Sequence, residues 1–482
     1  MVSTQVAAAD AYFLIAGDGA CRLEMVEAKV LPVLITNARS PNGPTRQSCL
    51  RVLAHLAWWK NVRAPLLTAS IVPVLVVLVE QTCGAAAALE AEPAGDADAA
   101  APAAAPADEK PRGDDVVQDL TLYIFTYMTF ASEDHRVAMV RDDVVPALEL
   151  LYRRLTLGGP PERARRVRMF VAAALRSLAA ATAALDKLVE DGAVRLLCDM
   201  MCAEDDASNA EVFEHCARAL YSVAREQRFN GVLLDQGALE AIPRLGALPE
   251  CYALAAATLH LLSLEPPHRE MIVADVAARD LLLRLAEAPE DPHAASTVQS
   301  CAQTFFWLSR CTAQAREELA SAGLVPLLIR LSRHGDDKVA SSCSEALKNL
   351  SSGGSGGIEE GTVSTLIAMT LSGGPSTNAA ALDADSLAEL PQKPLDEQLY
   401  KPSPELEPQS LLGAFEPHTV SVMKMVGGIA GAGPPPPEPP EMDVQDTLNL
   451  SFLDSGDALE DDENMGASMM FAKITADASS SA

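Results

Sequence analysis

The residues that come nearest to a chemical set are Cys198, Cys202, His215 and Cys216, sulfur and nitrogen donors of the kind zinc takes. Their spacing matches no zinc pattern, and Cys216 recurs at a packing position of the chain's repeating unit. The glycine-rich run Gly427-Gly428-Ile429-Ala430-Gly431-Ala432-Gly433 would cradle phosphate only if it joined a strand to a helix. It runs into Pro434 and reads as linker. There is no HExxH pair, no P-loop and no nucleophile elbow. No catalytic, cofactor-binding or metal residue is therefore expected, and neither is enzyme activity. One charged group stands out: Arg153, Arg154, Arg163, Arg165, Arg166 and Arg168. A solvated loop and helix start would explain it; so would a dock for an acidic peptide or a phosphate.

These side chains sit in a periodic pattern, clearest in residues 314–351. Three apolar runs at helical spacing succeed one another there. The first stops at Gly323, which can take the left-handed conformation that ends a helix. The second, Leu324-Val325-Pro326-Leu327-Leu328, tolerates its proline because that residue falls in the first turn. Asp336 and Asp337 suit the positive end of the third helix. Three helices in about forty residues cannot enclose a core alone, so the unit reads as one member of an array.

The unit recurs. The third-helix phrase Ala346-Leu347-Lys348-Asn349-Leu350 has relatives whose leading residues are Tyr12, Leu50, Leu122, Leu175, Leu220, Leu259 and Phe305. The second-helix phrase recurs as Val30-Leu31-Pro32, Ile71-Val72-Pro73 and Val144-Val145-Pro146. Gly192, Gly237, Gly323 and Gly361 occupy the break before the second helix in four units. Cys216, Cys301 and Cys343 each lie four residues before a leading residue, a position that wants a small buried group.

With these phrases the sequence resembles the armadillo-repeat family over roughly residues 1–375, with two-helix HEAT repeats as the near neighbour. The resemblance implies an all-α protein: a right-handed α-solenoid of about eight three-helix repeats whose third helices line a groove for extended peptides. The family's nuclear-import adaptors place Asn on this helix with Trp one turn earlier. The matching Asn-type positions are Leu14, Val52, Ile124, Ser177, Ser222, Leu261, Trp307 and Asn349, so Asn349 alone matches, with Glu345 where Trp would stand. A clamp for basic peptides is therefore disfavoured. The candidate groove residues are Arg218, Ser222, Gln303, Trp307, Glu345 and Asn349, with Trp307 either a ligand anchor or a packing residue.

Charge is uneven along the chain. Residues 376–482 hold 4 Lys/Arg against 19 Asp/Glu, and residues 83–115 hold 2 against 8, within a formal net charge of −29. That disfavours nucleic acid, whose phosphates need a basic surface. The segment 83–115 lacks aromatic and β-branched residues and reads as a disordered Ala/Pro/acidic insert inside one repeat; 376–482 reads as a disordered acidic, Pro-rich tail. Integral membrane association is not expected: the best apolar candidate, 64–79, carries two prolines and reads as two helices of a repeat. Residues 1–16 read as a lone third helix, so the first end should expose an apolar face, calling for upstream sequence or a second chain.

The expectation is a non-enzymatic scaffold that binds peptide or helical segments of other proteins, without cofactors, in the cytoplasm or the nucleus. Free thiols fit such a reducing compartment. The alternative is a nuclear-transport or transcription adaptor whose tail recruits a second partner. Helical spacing would place Leu448, Phe452, Ser455 and Leu459 of the acidic stretch 443–462 on one face, so the tail could also dock on its own solenoid, at the Arg163–Arg168 cluster.

Overall fold

A computed structural model describes residues 2–90, 113–156, 161–203, 210–287 and 294–351. Every regular element among them is helical. The expected tail, the stretch 443–462, Gly361 and most of the insert lie outside the described residues. The helices flanking the insert reach inside its expected bounds, since one runs to Glu90 and the next starts at Gly113. Ala85 to Ala88 there are strong helix formers, which favours continuing the helix rather than ending it.

The described residues fall into two compact units, 2–62 with 113–117, and 63–90 with those from 118 to 351. The first begins with α1 (Val2–Ile15), followed by α2 (Gly19–Glu27), α3 (Val30–Asn37) and α4 (Gly43–Trp58). α1 and α3 both pack on α4, so α1 stands to α4 as one third helix to the next.

Helix α5 (Lys60–Thr68) leads into the second unit, where α6 (Ile71–Glu90) and α7 (Gly113–Thr129) complete a repeat. Next come α8 (Glu133–Arg141), α9 (Val144–Thr156) and α10 (Pro161–Ala179), then α11 (Leu185–Glu190), α12 (Ala193–Cys202) and α13 (Ala210–Ala224). The following repeat has α14 (Asn230–Asp235), α15 (Ala238–Ala241) and α16 (Tyr252–Ser263). The last two are α17 (Pro266–Ala274), α18 (Val276–Leu285) and α19 (Ala294–Leu308), and α20 (Ala313–Ser321), α21 (Leu324–Leu331) and α22 (Asp337–Ser351). The third helices pack in series, α10 on α13, α13 on α16, α16 on α19 and α19 on α22. This is the armadillo-like three-helix order expected from the sequence. The apolar segment 64–79 is α5 and the start of α6, bent by 78° to one another, and no single described helix is long and apolar enough to cross a membrane.

The break between first and second helices is a single left-handed residue. Gly192, Gly237 and Gly323 have φ of 87°, 93° and 93°. The same place in the three earlier repeats is taken by Lys29, Ser70 and Asp143, at φ 57°, 58° and 61°. A Cβ there costs about 1–2 kcal/mol relative to the right-handed region, so the buried flanks, such as Ile71 and Leu75 after Ser70, must hold the turn in place. The junction between α17 and α18 differs: Asp275 is extended, and its carboxylate accepts a hydrogen bond from the Ala278 N–H at 2.8 Å. Pro32, Pro73, Pro146 and Pro326 are each the third residue of their helix, where no N–H is required.

One repeat is tighter. After α15 the second helix continues as a 3-10 segment, Ile242–Ala247. A side chain at Gly246 would come within 2.5 Å of Leu281 Cδ1 and 2.7 Å of Arg284 Nη2, so the missing Cβ lets α18 approach.

Candidate protein-binding groove

The residues predicted for the groove lie on α13, α19 and α22 at corresponding turns. On α13 they are tied to one another: Arg218 Nε and Nη2 donate to one Glu214 oxygen at 2.8 and 2.7 Å, and Ser222 Oγ donates to the Arg218 carbonyl at 2.9 Å. Both charged side chains are half-buried, so this pair aligns Arg218 along the helix instead of letting it range into solvent. On α19, Gln303 is half-buried. Trp307, one turn on, is 8% exposed and belongs to the core, edge-on to Phe306 with centroids 5.1 Å apart and against Leu264. Its ring is flanked by Arg269 at 4.6 Å and Arg310 at 5.4 Å. On α22, Glu345 pairs with Lys348 at 2.5 Å, and Asn349 Nδ2 donates to Ser309 Oγ at 3.0 Å.

The Asn-type row is therefore not a row of open clamps. In the second unit Ile124 is fully buried and Leu261 is 2% exposed; in the first, Val52 is fully buried while Leu14 is 70% exposed. Ser222 bonds within its own helix, but two polar members of the row reach back to the end of the preceding third helix. Ser177 Oγ donates to the Thr129 carbonyl at 2.7 Å, and Asn349 does the same to Ser309. A polar group here registers one repeat on the last.

The basic residues of α9 and α10 are not brought together as one free patch. Arg153 pairs with Glu149 at 2.5 Å, and Arg163 with Asp119 at 3.2 Å. Arg165 is exposed, and Arg154, Arg166 and Arg168 are half-buried.

Of the cysteine and histidine set, Cys198, His215 and Cys216 are buried and Cys202 is half-buried. Cys216, Cys301 and Cys343 have no exposure. Burial pushes the Cys343 thiol up to about 12 and the Cys198 thiol to about 12, so both stay protonated. His215 is pulled down to about 3, by burial first and then by the charges of Arg176 and Arg218. Its neutral ring accepts from Arg176 Nη1 at 3.2 Å. Among the described residues no three His, Cys, Asp or Glu side chains converge on a possible metal position.

A second row is carried by the first helices and is not among the residues predicted from the sequence. Arg22, Arg63, Arg136, Arg269 and Arg316 are each the fourth residue of a first helix, in α2, α5, α8, α17 and α20. Four of them meet the C-terminal end of a third helix. Arg22 stacks on Trp59 with its guanidinium 3.2 Å from the ring centroid. Arg63 lies 5.9 Å from the Tyr127 centroid and donates to the Phe130 carbonyl at 3.5 Å. Arg269 donates to the Ser263 and Leu264 carbonyls at 2.7 and 2.5 Å, and Arg316 to the Asn349 carbonyl at 3.1 Å. Cations at orphan helix-end carbonyls answer both the missing hydrogen bonds and the negative end of the dipole. Asn230 of α14 fills the same place, donating to the Leu261 carbonyl at 3.1 Å.

No protein-family model matches the sequence, and no curated protein matches it. Among solved structures the chain is similar to an engineered protein from the Northeast Structural Genomics Consortium, at 20% identity and a TM-score of 0.51, over 76% of this chain and 78% of that one. A computationally designed armadillo repeat protein for modular peptide recognition matches at 16% identity over 66% of this chain and 99% of that one, with a TM-score of 0.34. The first likeness is one of fold alone, and the second is too distant to add to it.

Proposed function

We propose that the chain is a non-enzymatic scaffold whose third helices bind an extended or helical segment of another protein. One observation carries this reading: half-buried polar side chains recur on the third helices α13, α19 and α22, with Arg218, Gln303 and Glu345 at one register and Ser222 and Asn349 one turn on, in an array packed third helix to third helix. A repeated row on parallel elements presents contacts at regular intervals, which suits a ligand with its own repeat, a polypeptide backbone. Its mixed charge sets it apart from a nucleic-acid surface, and the formal net charge of −29 opposes phosphate binding. The reading names no partner, and it requires no cofactor.

The test is selection of peptides from a random display library on the full chain, followed by affinity measurements on variants. Gln303→Arg and Arg218→Glu, at half-buried positions of the row, are expected to weaken selected peptides about tenfold, the loss of about 1.4 kcal/mol. Selected peptides that bind both variants as they bind the parent chain would sink the reading.

A further inference from the structure

The arginines near the ends of α19 and α22 are not all accounted for by the stack. Arg269 is spent on two carbonyls. Arg316 gives Nη1 to Asn349, but its Nε is buried and has no partner. Arg310 is exposed, with its guanidinium 5.4 Å from the Trp307 centroid and 5.6 Å from that of Phe306. It makes no ion pair among the described residues. Because Arg269 and Arg310 lie 4.6 and 5.4 Å from one ring centroid, they are at most 10.0 Å apart. Burial pushes the thiol of Cys311 up to about 11, with Arg269 and Arg316 acting against that rise and the Glu270 charge adding to it. Arg310 thus stands within 10.0 Å of a second guanidinium, a positive charge that a carboxylate would relieve.

The chain itself arrives at this place. Arg316 sits on the carbonyl of Asn349, and α22 ends two residues later at Ser351. Beyond it lies the most acidic part of the sequence, residues 376–482 with 19 Asp/Glu against 4 Lys/Arg. Within it, 443–462 holds acids and no basic residue. A tether that begins beside the cluster holds these carboxylates at a local concentration on the order of millimolar.

We propose that the acidic tail, residues 376–482, folds back onto Arg310 beside Trp307, next to Ser309, which Asn349 of α22 already contacts. The planar fork of Arg310 takes a carboxylate in two parallel hydrogen bonds. This places the tail on the last two repeats and not on the Arg163–Arg168 cluster, where Arg163 already holds Asp119 and neighbouring Arg153 holds Glu149.

The test uses a fluorescein-labelled decaglutamate probe and the full chain, read by anisotropy at low and high salt. The parent is compared with a chain of the same length whose tail Asp and Glu are changed to Asn and Gln. The neutral-tail chain should bind the probe at least about threefold more tightly at low salt, a gain that shrinks as salt screens the charges. Adding Arg310→Ala, at an exposed position that leaves folding alone, should remove that gain, whereas Arg165→Ala should not. Equal binding by parent and neutral-tail chains overturns the proposal. So does a gain that survives Arg310→Ala and is lost with Arg165→Ala. The probe reports on the cluster without any groove ligand, so either result leaves the groove reading to its own test.

Discussion

Removing the side chain of Ser70 should make the protein more stable. Ser70 sits at φ 58°, is exposed, and its backbone N–H already donates to the Leu67 carbonyl at 2.9 Å. Ser70→Gly relieves a left-handed strain of about 1–2 kcal/mol and gives back about 0.5–1 kcal/mol in unfolded-chain entropy. The net expectation is about 0.5–1 kcal/mol of stabilisation, by the difference of those two effects. Gly323→Ala is the mirror experiment. Nothing lies within 4 Å of the Cβ it would add, so its cost is backbone strain without a clash, again about 0.5–1 kcal/mol net. Because an array opens locally, the assay is native-state hydrogen exchange: protection should rise in α5 and α6 for the first variant and fall in α20 and α21 for the second. If Ser70→Gly lowers protection there, or Gly323→Ala leaves it unchanged, the single-residue account of the turn is wrong.

Three further outcomes are expected. Leu347→Asp places a carboxylate at a site 3% exposed and should cost several kcal/mol, with circular dichroism and exchange showing loss confined to the last repeats while α10 stays protected; uniform loss of helicity would contradict nearest-neighbour coupling. Arg269→Lys keeps the charge but cannot reproduce two hydrogen bonds from one planar group, and urea unfolding should show about 1.5–3 kcal/mol lost. His55 is depressed to about 4 and His215 to about 3, so the unfolded chain takes up their protons first as pH falls. Stability from these groups is complete above about pH 6.5 and is lost as pH drops through 6.5 toward about 4 for His55 and about 3 for His215, and His215→Gln should flatten part of that acid limb in pH-dependent unfolding.

Much of the fold was legible because it rests on periodicity and on residue types with one strong conformational habit. Gly192, Gly237 and Gly323 announced their turns, as did the prolines at the third position of four second helices. Lys29, Ser70 and Asp143 did not, since nothing in those side chains asks for positive φ; the hydrophobic flanks impose it. The first-helix arginines were legible in principle. Arg22, Arg63, Arg136 and Arg316 lie eight residues before Val30, Ile71, Val144 and Leu324, and Arg269 lies seven before Val276. Aligning the units on second and third helices alone passes over a polar residue repeated on the shortest helix. The site was harder. Matching Ile124 and Leu261 to an Asn position preserves register but says nothing about exposure, which depends on how deeply the next repeat covers the row.

The three corners of the repeat differ in how much chain they accept. First and second helices are joined by two residues in six repeats and by one residue, Asp275, in the other. Third helices give way to the next repeat within a few residues, beside an arginine or asparagine tied to the helix end in several repeats. The remaining corner, between second and third helices, spans anything from the short connection after Thr156 to the stretch between Glu90 and Gly113. Where a cap sits there, as Asn42 does before α4 and Asp336 before α22, it ties only the start of the third helix, so length added ahead of it leaves the stacking undisturbed. The array thus has a single edge along which it can be elaborated, and the acidic segment before α7 stands where any further module could be grafted.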